Sequence, residues 1–352
     1  MGTTRFVSEI NFVRALACLA VLAVHVSAGV FYAEGSWDPF AALINQIGRF
    51  GTPVFAVISG FLLFNQVKNK GFSLRRFIRS RTTKILIPYL IWSTVYLLIL
   101  KYVYHVDHFA SLKQGLYILF TGGAFYHLYF VSTVIQFYLV FPLLQRVLRT
   151  GRAWWIGTAV ALVVNVAFLV PEVTDWPGWI GTILSHKAFL PSWIFYFLLG
   201  GLLAHHWTGL TRFFRNRTGM LFSFLTGVLV TAGAVVEYHW AGMYGSRRLA
   251  NLINIPLLIL TASVLYTSVF HRLRIREWFQ ALGNLGFGIY LVHPLVILVL
   301  VQLLPSTWWN PSSLPLLFLF VLLLSVGLVQ VIRLLPFHQY LLTVPSRRAR
   351  PN

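Results

Sequence analysis

The chain is short of acid. Eight Asp and Glu stand against 28 Lys and Arg, a formal net charge of +20, and charged residues of both signs make up only 10% of 352 positions. A single cysteine, Cys18, excludes a disulfide framework and a cysteine-based metal site. There is no Walker-type phosphate loop and no His-Glu-x-x-His pair, and the His205-His206 and His105-x-x-His108 pairs lack a third ligand, so no metal centre is expected. Also missing are a long Ser-, Pro- or Gly-rich linker and a convincing internal repeat. The longest polar stretch is a basic segment at about 67–84, so no soluble domain fits between the apolar runs and the chain reads as one integral-membrane domain over 1–352.

What is abundant is apolar surface. Hydrophobic residues reach 58%, in repeated runs of at least ~18 residues, which is the pattern of an all-α, polytopic transmembrane bundle. A membrane barrel is excluded because its strands would alternate apolar and polar residues. About ten spans are predicted, near 10–33, 43–66, 85–105, 125–148, 153–170, 189–207, 219–238, 250–270, 282–304 and 314–335. Segment 111–124 is too short and too interrupted by Gly122 and Gly123 to cross, and reads as re-entrant or interfacial. The basic residues then sort by side. Twenty fall at Arg5, Lys68 to Lys84, Arg146 to Arg152, Arg212 to Arg217, Arg272 to Arg276 and Arg347 to Arg350; five (Lys101, Lys113, Lys187, Arg247 and Arg248) fall opposite, with Glu34, Asp38, Asp107, Glu172, Asp175 and Glu237. This positive-inside distribution places both termini in the cytoplasm and accounts for the net charge without nucleic acid, which would need one basic patch. The first span could be read as a secretory signal ending at Ser27, Ala28 and Gly29, but its apolar stretch continues through Val30, Phe31 and Tyr32 and nine further spans follow.

Ionisable residues at membrane depth are costly and usually face a bundle interior, a partner or a water-filled cavity. Arg14-x10-His25 in the first span is the leading pair: eleven steps of ~100° return to within about 20° of the start and climb roughly 16 Å, so both side chains share one face. A histidine there can act as a general base, or can simply pack in a helix interface; an arginine near the inner boundary can act on a ligand, or snorkel to the headgroups. Arg49 opens the second span ahead of Pro53 on the side where positive charge is disfavoured, and suits either an anionic group or an ion pair with Glu34. Ser59 and Gly60 are small enough for close helix approach. His127 opens the fourth span, and an interfacial aromatic belt explains its tyrosine neighbours but not the histidine. His293 precedes Pro294 in the ninth span, where a kink with a hydrogen-bonded histidine is the simpler reading. Glu9 lies about 140° round the helix from Arg14 and reads as an N-terminal helix charge.

Five features in order resemble the acyltransferase-3 family: Arg14-x10-His25 preceded by Glu9, the Pro53 to Leu63 segment ending Ser-Gly-Phe-Leu-Leu, the basic loop before Ile85-Leu-Ile-Pro88-Tyr-Leu-Ile-Trp92, His127-Leu-Tyr-Phe, and Gly288-Ile-Tyr-Leu-Val-His293-Pro294. Arg49 before Pro53 and the run into Trp92 look most like the branch that O-acetylates surface polysaccharides or their lipid-linked precursors. The resemblance implies an enzyme of the cell membrane that moves an acyl group, commonly acetyl, from acyl-CoA to a sugar hydroxyl outside. It implies acyl-CoA as donor substrate with no tightly bound cofactor, a surface glycan or lipid-linked sugar as acceptor, membrane lipids around the chain, and room for partner proteins of a polysaccharide machine. His25 and Arg14 would be catalytic, with Glu9, Arg49, Ser59, His127 and His293 supporting. The family's Arg-x-x-Arg before the third-span proline has its nearest matches here in Arg81-Thr-Thr-Lys84 and Arg76-Phe-Ile-Arg79, so Arg76, Arg79, Arg81 and Lys84 are the candidates for the CoA phosphates. The competing class is a transporter of a glycan or lipid intermediate, which ten spans and midplane ionisable residues suit equally well by physics alone.

Overall fold

The computed structural model describes residues 7–106, 108, 111–170, 176–214 and 216–343. Arg5, Arg215, Arg347, Arg348, Arg350, Asp107, Glu172 and Asp175, counted above for topology, lie outside them. The described residues form helices and turns, with no strand. The first half of the chain gives α1 (Ser8–Glu34), α2 (Pro39–Gly48), α3 (Gly51–Lys70), α4 (Leu74–Arg81), α5 (Ile87–Tyr102), α6 (Leu112–Thr121) and α7 (Tyr129–Val147). The second gives α8 (Gly151–Ala167), α9 (Gly178–Leu184), α10 (Ile194–Phe214), α11 (Arg217–Ala241), α12 (Asn251–Ser268), α13 (Ile275–Leu303), α14 (Leu314–Ile332) and the single turn α15 (His338–Leu341).

Eight helical segments are long and apolar enough to cross a membrane, with α2 and α3 counted as one and α4 and α5 as another. The apolar 17-residue α8 and the 21-residue α10 fall where the other two of the roughly ten predicted spans were expected, α8 being too short for that criterion. Helices are the solution that satisfies backbone groups in lipid, and the outward rows of Leu221, Leu225 and Leu229 on α11 and of Leu316, Leu319 and Leu323 on α14 are exposed as lipid-facing residues are. Segment 111–124 is the short helix α6, stopped at Gly122 in the left-handed region at φ 73°.

Local chemistry sets the ends. Gly35 at φ 73° closes α1 by donating its N–H to Phe31 O, and Asp38 caps α2 by accepting from Phe40 N at 2.8 Å and Ala41 N at 3.2 Å, with Pro39 in the first turn. Between α4 and α5 the backbone widens into a π-helical turn, Thr82–Leu86, immediately before Pro88. A proline frees the carbonyl four residues earlier, and that carbonyl, Lys84 O, accepts from the Thr343 hydroxyl.

Helix α1 is the hub, packed against α2, α3, α12, α13 and α14, while α10 lies along α3 and α8. Glycines make these contacts close. A Cβ at Gly60 would stand 2.0 Å from Phe197 O, one at Gly200 2.0 Å from Val57 O, and one at Gly283 2.3 Å from Asn11 O. Small residues that let backbones touch are how membrane helices associate where hydrophobic burial offers no difference between lipid and protein. The approach at Gly283 seats α13 against α1.

Candidate functional site

Arg14 and His25 both face α13. A Cβ at Gly286 would lie 3.7 Å from Arg14 Cγ, and the His25 ring stacks on His293, centroids 5.2 Å apart at 28°. Gly286 and His293 are themselves two turns apart, so one face of α1 runs along one face of α13. At the lower level Arg14 donates through Nη2 to Asn11 Oδ1. Asn11 Nδ2 donates in turn to Gln280 O and Oε1, both at 2.8 Å, and Gln280 Nε2 to Ser8 O at 2.9 Å. Arg14 Nε is buried without an acceptor, and no carboxylate pairs with Arg14 among the described residues. A cation held by a neutral amide network at membrane depth has unused capacity for an anion.

One level up, three imidazoles from three elements converge. His127, in the turn leading into α7, lies 5.5 Å from His293 between ring centroids, and His293 lies against His25. His127 and His293 are sealed from solvent, 1% and 0% exposed, and neither ring nitrogen of His127 nor Nε2 of His293 has a hydrogen-bond partner. His293 Nδ1 stands 3.1 Å from Ile289 O, which assigns its proton to Nδ1 and leaves Nε2 a lone-pair acceptor. His25 is less enclosed. It touches Tyr126, centroids 4.7 Å apart, and Tyr126 is 48% exposed, with Tyr32 about two helical turns beyond His25 at 81%, so the cluster has an open side toward the end of the bundle where α1 stops.

Tyrosines hold this arrangement. The Tyr290 hydroxyl donates to His127 O, fixing the turn of His127 to α13. The Tyr96 hydroxyl of α5 donates to Leu291 O at 2.7 Å and accepts from Leu295 N at 3.3 Å. It is therefore wedged between the donor and acceptor of one α13 rung, beside the rung that Pro294 cannot make. The kink expected at Pro294 and the cluster thus share one residue, His293. The turn itself rests on Gly122, where a Cβ would meet Tyr129 Cα at 2.4 Å, and on Ser132 and Tyr89, whose hydroxyls donate to Phe120 O and Leu119 O.

The remaining candidates stand as follows. Arg49, at the junction of α2 and α3, is within electrostatic range of His25 and donates through Nε to Asn45 Oδ1 at 3.0 Å; it forms no ion pair with Glu34. Asn45 is in turn bound to Val24 O and Ser27 Oγ, each at 3.0 Å, which sets this end of α2 at the depth of His25. Ser59 spends its hydroxyl on Phe55 O at 2.8 Å and makes no contact with the cluster. Glu9 sits in the first turn of α1, without a hydrogen bond or ion pair among the described residues. On the basic segment, Arg81 turns inward, bonded to Gln66 Oε1 at 3.2 Å with its guanidinium 5.4 Å from the Tyr138 ring. Arg76, Arg79 and Lys84 are exposed, and Arg76 lines a shallow cleft with Lys70, Phe72 and Phe77. Among the described residues no group of three or more His, Cys, Asp or Glu is arranged to hold a metal ion.

Residues 7–334 match the family model described as an acyltransferase domain, nearly the whole chain. The chain belongs to the acyltransferase-3 family. Among similar proteins, a Bacillus subtilis (strain 168) protein named "Putative membrane-bound acyltransferase YfiQ" is 22% identical over 313 residues, covering 83% of this chain and 82% of that protein. A Staphylococcus aureus (strain MRSA252) protein named "Probable poly-beta-1,6-N-acetyl-D-glucosamine export protein" is 21% identical over 301 residues, covering 82% of each. No solved structure matches the chain. Set within this acyltransferase-3 segment, the structure adds residues that sequence reasoning passed over: Asn11 and Gln280 beneath Arg14, and Tyr96, Tyr126 and Tyr290 around the histidines. Tyr290 lay inside a motif already noted and Tyr126 beside His127; Tyr96 left no signal in an apolar run.

Proposed function

We propose that this multi-pass acyltransferase-3 protein is an O-acetyltransferase of the cell membrane, with both termini cytoplasmic, that takes its acyl group from acyl-CoA inside and delivers it to a hydroxyl of a surface polysaccharide or lipid-linked precursor outside. The observation that carries this reading is the convergence of His25, His127 and His293 at the open end of a bundle whose basic segment lies at the other end. His25, the histidine nearest the opening, takes the acceptor's hydroxyl proton as its oxygen attacks the thioester carbonyl; the C–S bond breaks and the proton passes to the departing CoA sulfur. Products are the ester and CoA thiol, with no net proton change. A relay is the variant in which His25 itself holds the acyl group between two transfers. Neutral His293 and His127 suit the neighbourhood of that imidazole because they add no fixed positive charge when it takes the proton. Arg14, about 16 Å below His25, orients the donor near the inner mouth of the bundle. Since Arg81 is engaged with Gln66 and Tyr138, the CoA phosphates fall to exposed Arg76, Arg79 and Lys84.

The name of the Staphylococcus aureus relatives supports a second reading, glycan export. Purified protein in nanodiscs with radiolabelled acetyl-CoA separates the two. Transfer should release CoA thiol, and His25→Ala should abolish it in a protein that keeps its size-exclusion profile and thermal transition. Undiminished release by that variant overturns the role of His25, and glycan flux in proteoliposomes without CoA release favours export.

A further inference from the structure

The outer end of the bundle holds more positive charge than its topology allows for. Arg49, Arg247 and Arg248 cluster there, and among the described residues only Arg248 has a carboxylate, Glu237 at 3.0 Å. Arg248 is otherwise engaged through Nε, which donates to Asn251 Oδ1 at 3.1 Å, and Nη1, which donates to Gln46 Oε1 at 3.3 Å; its guanidinium lies 5.0 Å from the Phe50 ring, and its Nη2 is sealed from solvent without a hydrogen-bond partner. Through Gln46 and Phe50 it braces both sides of Arg49. Arg247 straps down the 185–192 segment, donating to Ser185 O at 2.9 Å, His186 O at 3.2 Å and Ser192 Oγ at 3.4 Å. Arg49 alone is held by one bond, from Nε. Its two terminal nitrogens, the fork that recognises carboxylate and phosphate, make no hydrogen bond or ion pair with the described residues.

Tyr32 and Tyr129 are the groups Arg49 faces electrostatically, and Tyr129 faces Arg247 as well. The Arg49 partner Asn45 is bonded to Val24 O and Ser27 Oγ on α1, which sets Arg49 near the level of His25, toward the end of α1 where Tyr32 is exposed. Among the described residues the acids on this side do not compensate Arg49: Asp38 caps α2, Glu237 is taken by Arg248, and Glu34 pairs with neither Arg49 nor Arg247. A braced, half-buried guanidinium that no described acid compensates, beside a catalytic candidate, is an arrangement for binding an oxyanion.

We propose that the outer cavity selects an acceptor bearing an oxyanion, a phosphate linking sugar to lipid or a carboxylate on the sugar itself, and that Arg49 binds it bidentately while His25 meets the hydroxyl. This rests on the acceptor site of the proposed function but needs no turnover to be tested. A charge-assisted bidentate contact is worth about ten- to a hundredfold in affinity.

The test uses the full chain in phosphatidylcholine nanodiscs and equilibrium binding of three radiolabelled probes: octyl β-glucoside, octyl β-glucuronide, and glucose joined to octanol through a phosphodiester. One or both anionic probes should bind at least about tenfold more tightly than the neutral one. Arg49→Gln should erase that preference and leave the neutral probe unchanged, and Arg49→Lys should restore part of it. Preference for the phosphodiester alone identifies the lipid-phosphate source, and preference for the glucuronide alone the uronate source. Equal binding of all three probes, or equal weakening of all three by Arg49→Gln, overturns the proposal. Acetyl transfer from labelled acetyl-CoA, read in parallel, keeps the two ideas apart: charge preference without transfer removes the enzymatic reading only, and transfer without charge preference removes the oxyanion site only.

Discussion

Asn11 illustrates how a single neutral side chain governs a buried cation. Its carboxamide uses its oxygen on Arg14 and its nitrogen on Gln280, so α1 and α13 are tied through one residue at the level where Arg14 stands. Asn11→Ala removes the acceptor from a charge that has no carboxylate, and a hydrogen bond to a charged group is worth about 1.5–3 kcal/mol. The expected result is a fall in thermal unfolding temperature together with a loss of acetyl transfer of at least about tenfold, whereas Asn11→Asp, which offers a charged acceptor, should retain stability. Differential scanning fluorimetry in detergent and a CoA-thiol assay check both; an Asn11→Ala protein with full transfer would detach this network from function. The spacing of Arg14 and His25 was readable because an α-helix repeats every ~3.6 residues, so a shared face follows from counting. Asn11 was not readable, because its partner Gln280 lies 269 positions away and no periodicity within one helix announces a contact made across two.

At the scale of elements, the apolar helices were legible because lipid imposes a hydropathy requirement that each crossing helix must meet alone, and eight segments meet it. Their ends were less so. Helix α13 begins at Ile275, earlier than the predicted 282, because its first turns are partly polar and carry Gln280 toward α1. The wedge in α13 was invisible for another reason: Pro294 announces a lost rung, but nothing near it names Tyr96, 195 positions from the Leu291 carbonyl it occupies. Tyr96→Phe should therefore act on the helix, leaving Leu291 O and Leu295 N to find each other across a displaced turn, at a cost of about 1–3 kcal/mol. Adding Pro294→Ala restores a backbone donor for Tyr290 O and lets α13 straighten. The double variant should recover thermal stability and fail to recover acetyl transfer, since straightening carries His293 away from His25 and His127. Recovery of both properties together would show that the bend does not set the histidine geometry.

The whole molecule is organised by sidedness. Exposed Arg76, Arg79 and Lys84 follow α3, whereas Tyr32, Tyr126 and the cluster of Arg49, Arg247 and Arg248 lie toward the end of α1, a full span away along the bundle. A charged acyl-CoA cannot cross lipid and a surface glycan is already outside, so the proposed reaction works only if these two ends face opposite compartments. Positive-inside asymmetry predicts that the α4 end faces the cytoplasm. The assignment is open to direct measurement because Cys18, the one native thiol, is 1% exposed and should stay silent toward a membrane-impermeant maleimide. Tyr32→Cys is expected to label in intact cells, and Arg79→Cys only in inverted vesicles or after permeabilisation. In proteoliposomes sorted by that labelling, acetyl-CoA should support transfer only when supplied on the Arg79 side and the acceptor only on the Tyr32 side. Labelling of Arg79→Cys from outside would reverse the orientation, and transfer with both substrates confined to one side would remove the need for a route through the bundle from Arg14 to His25.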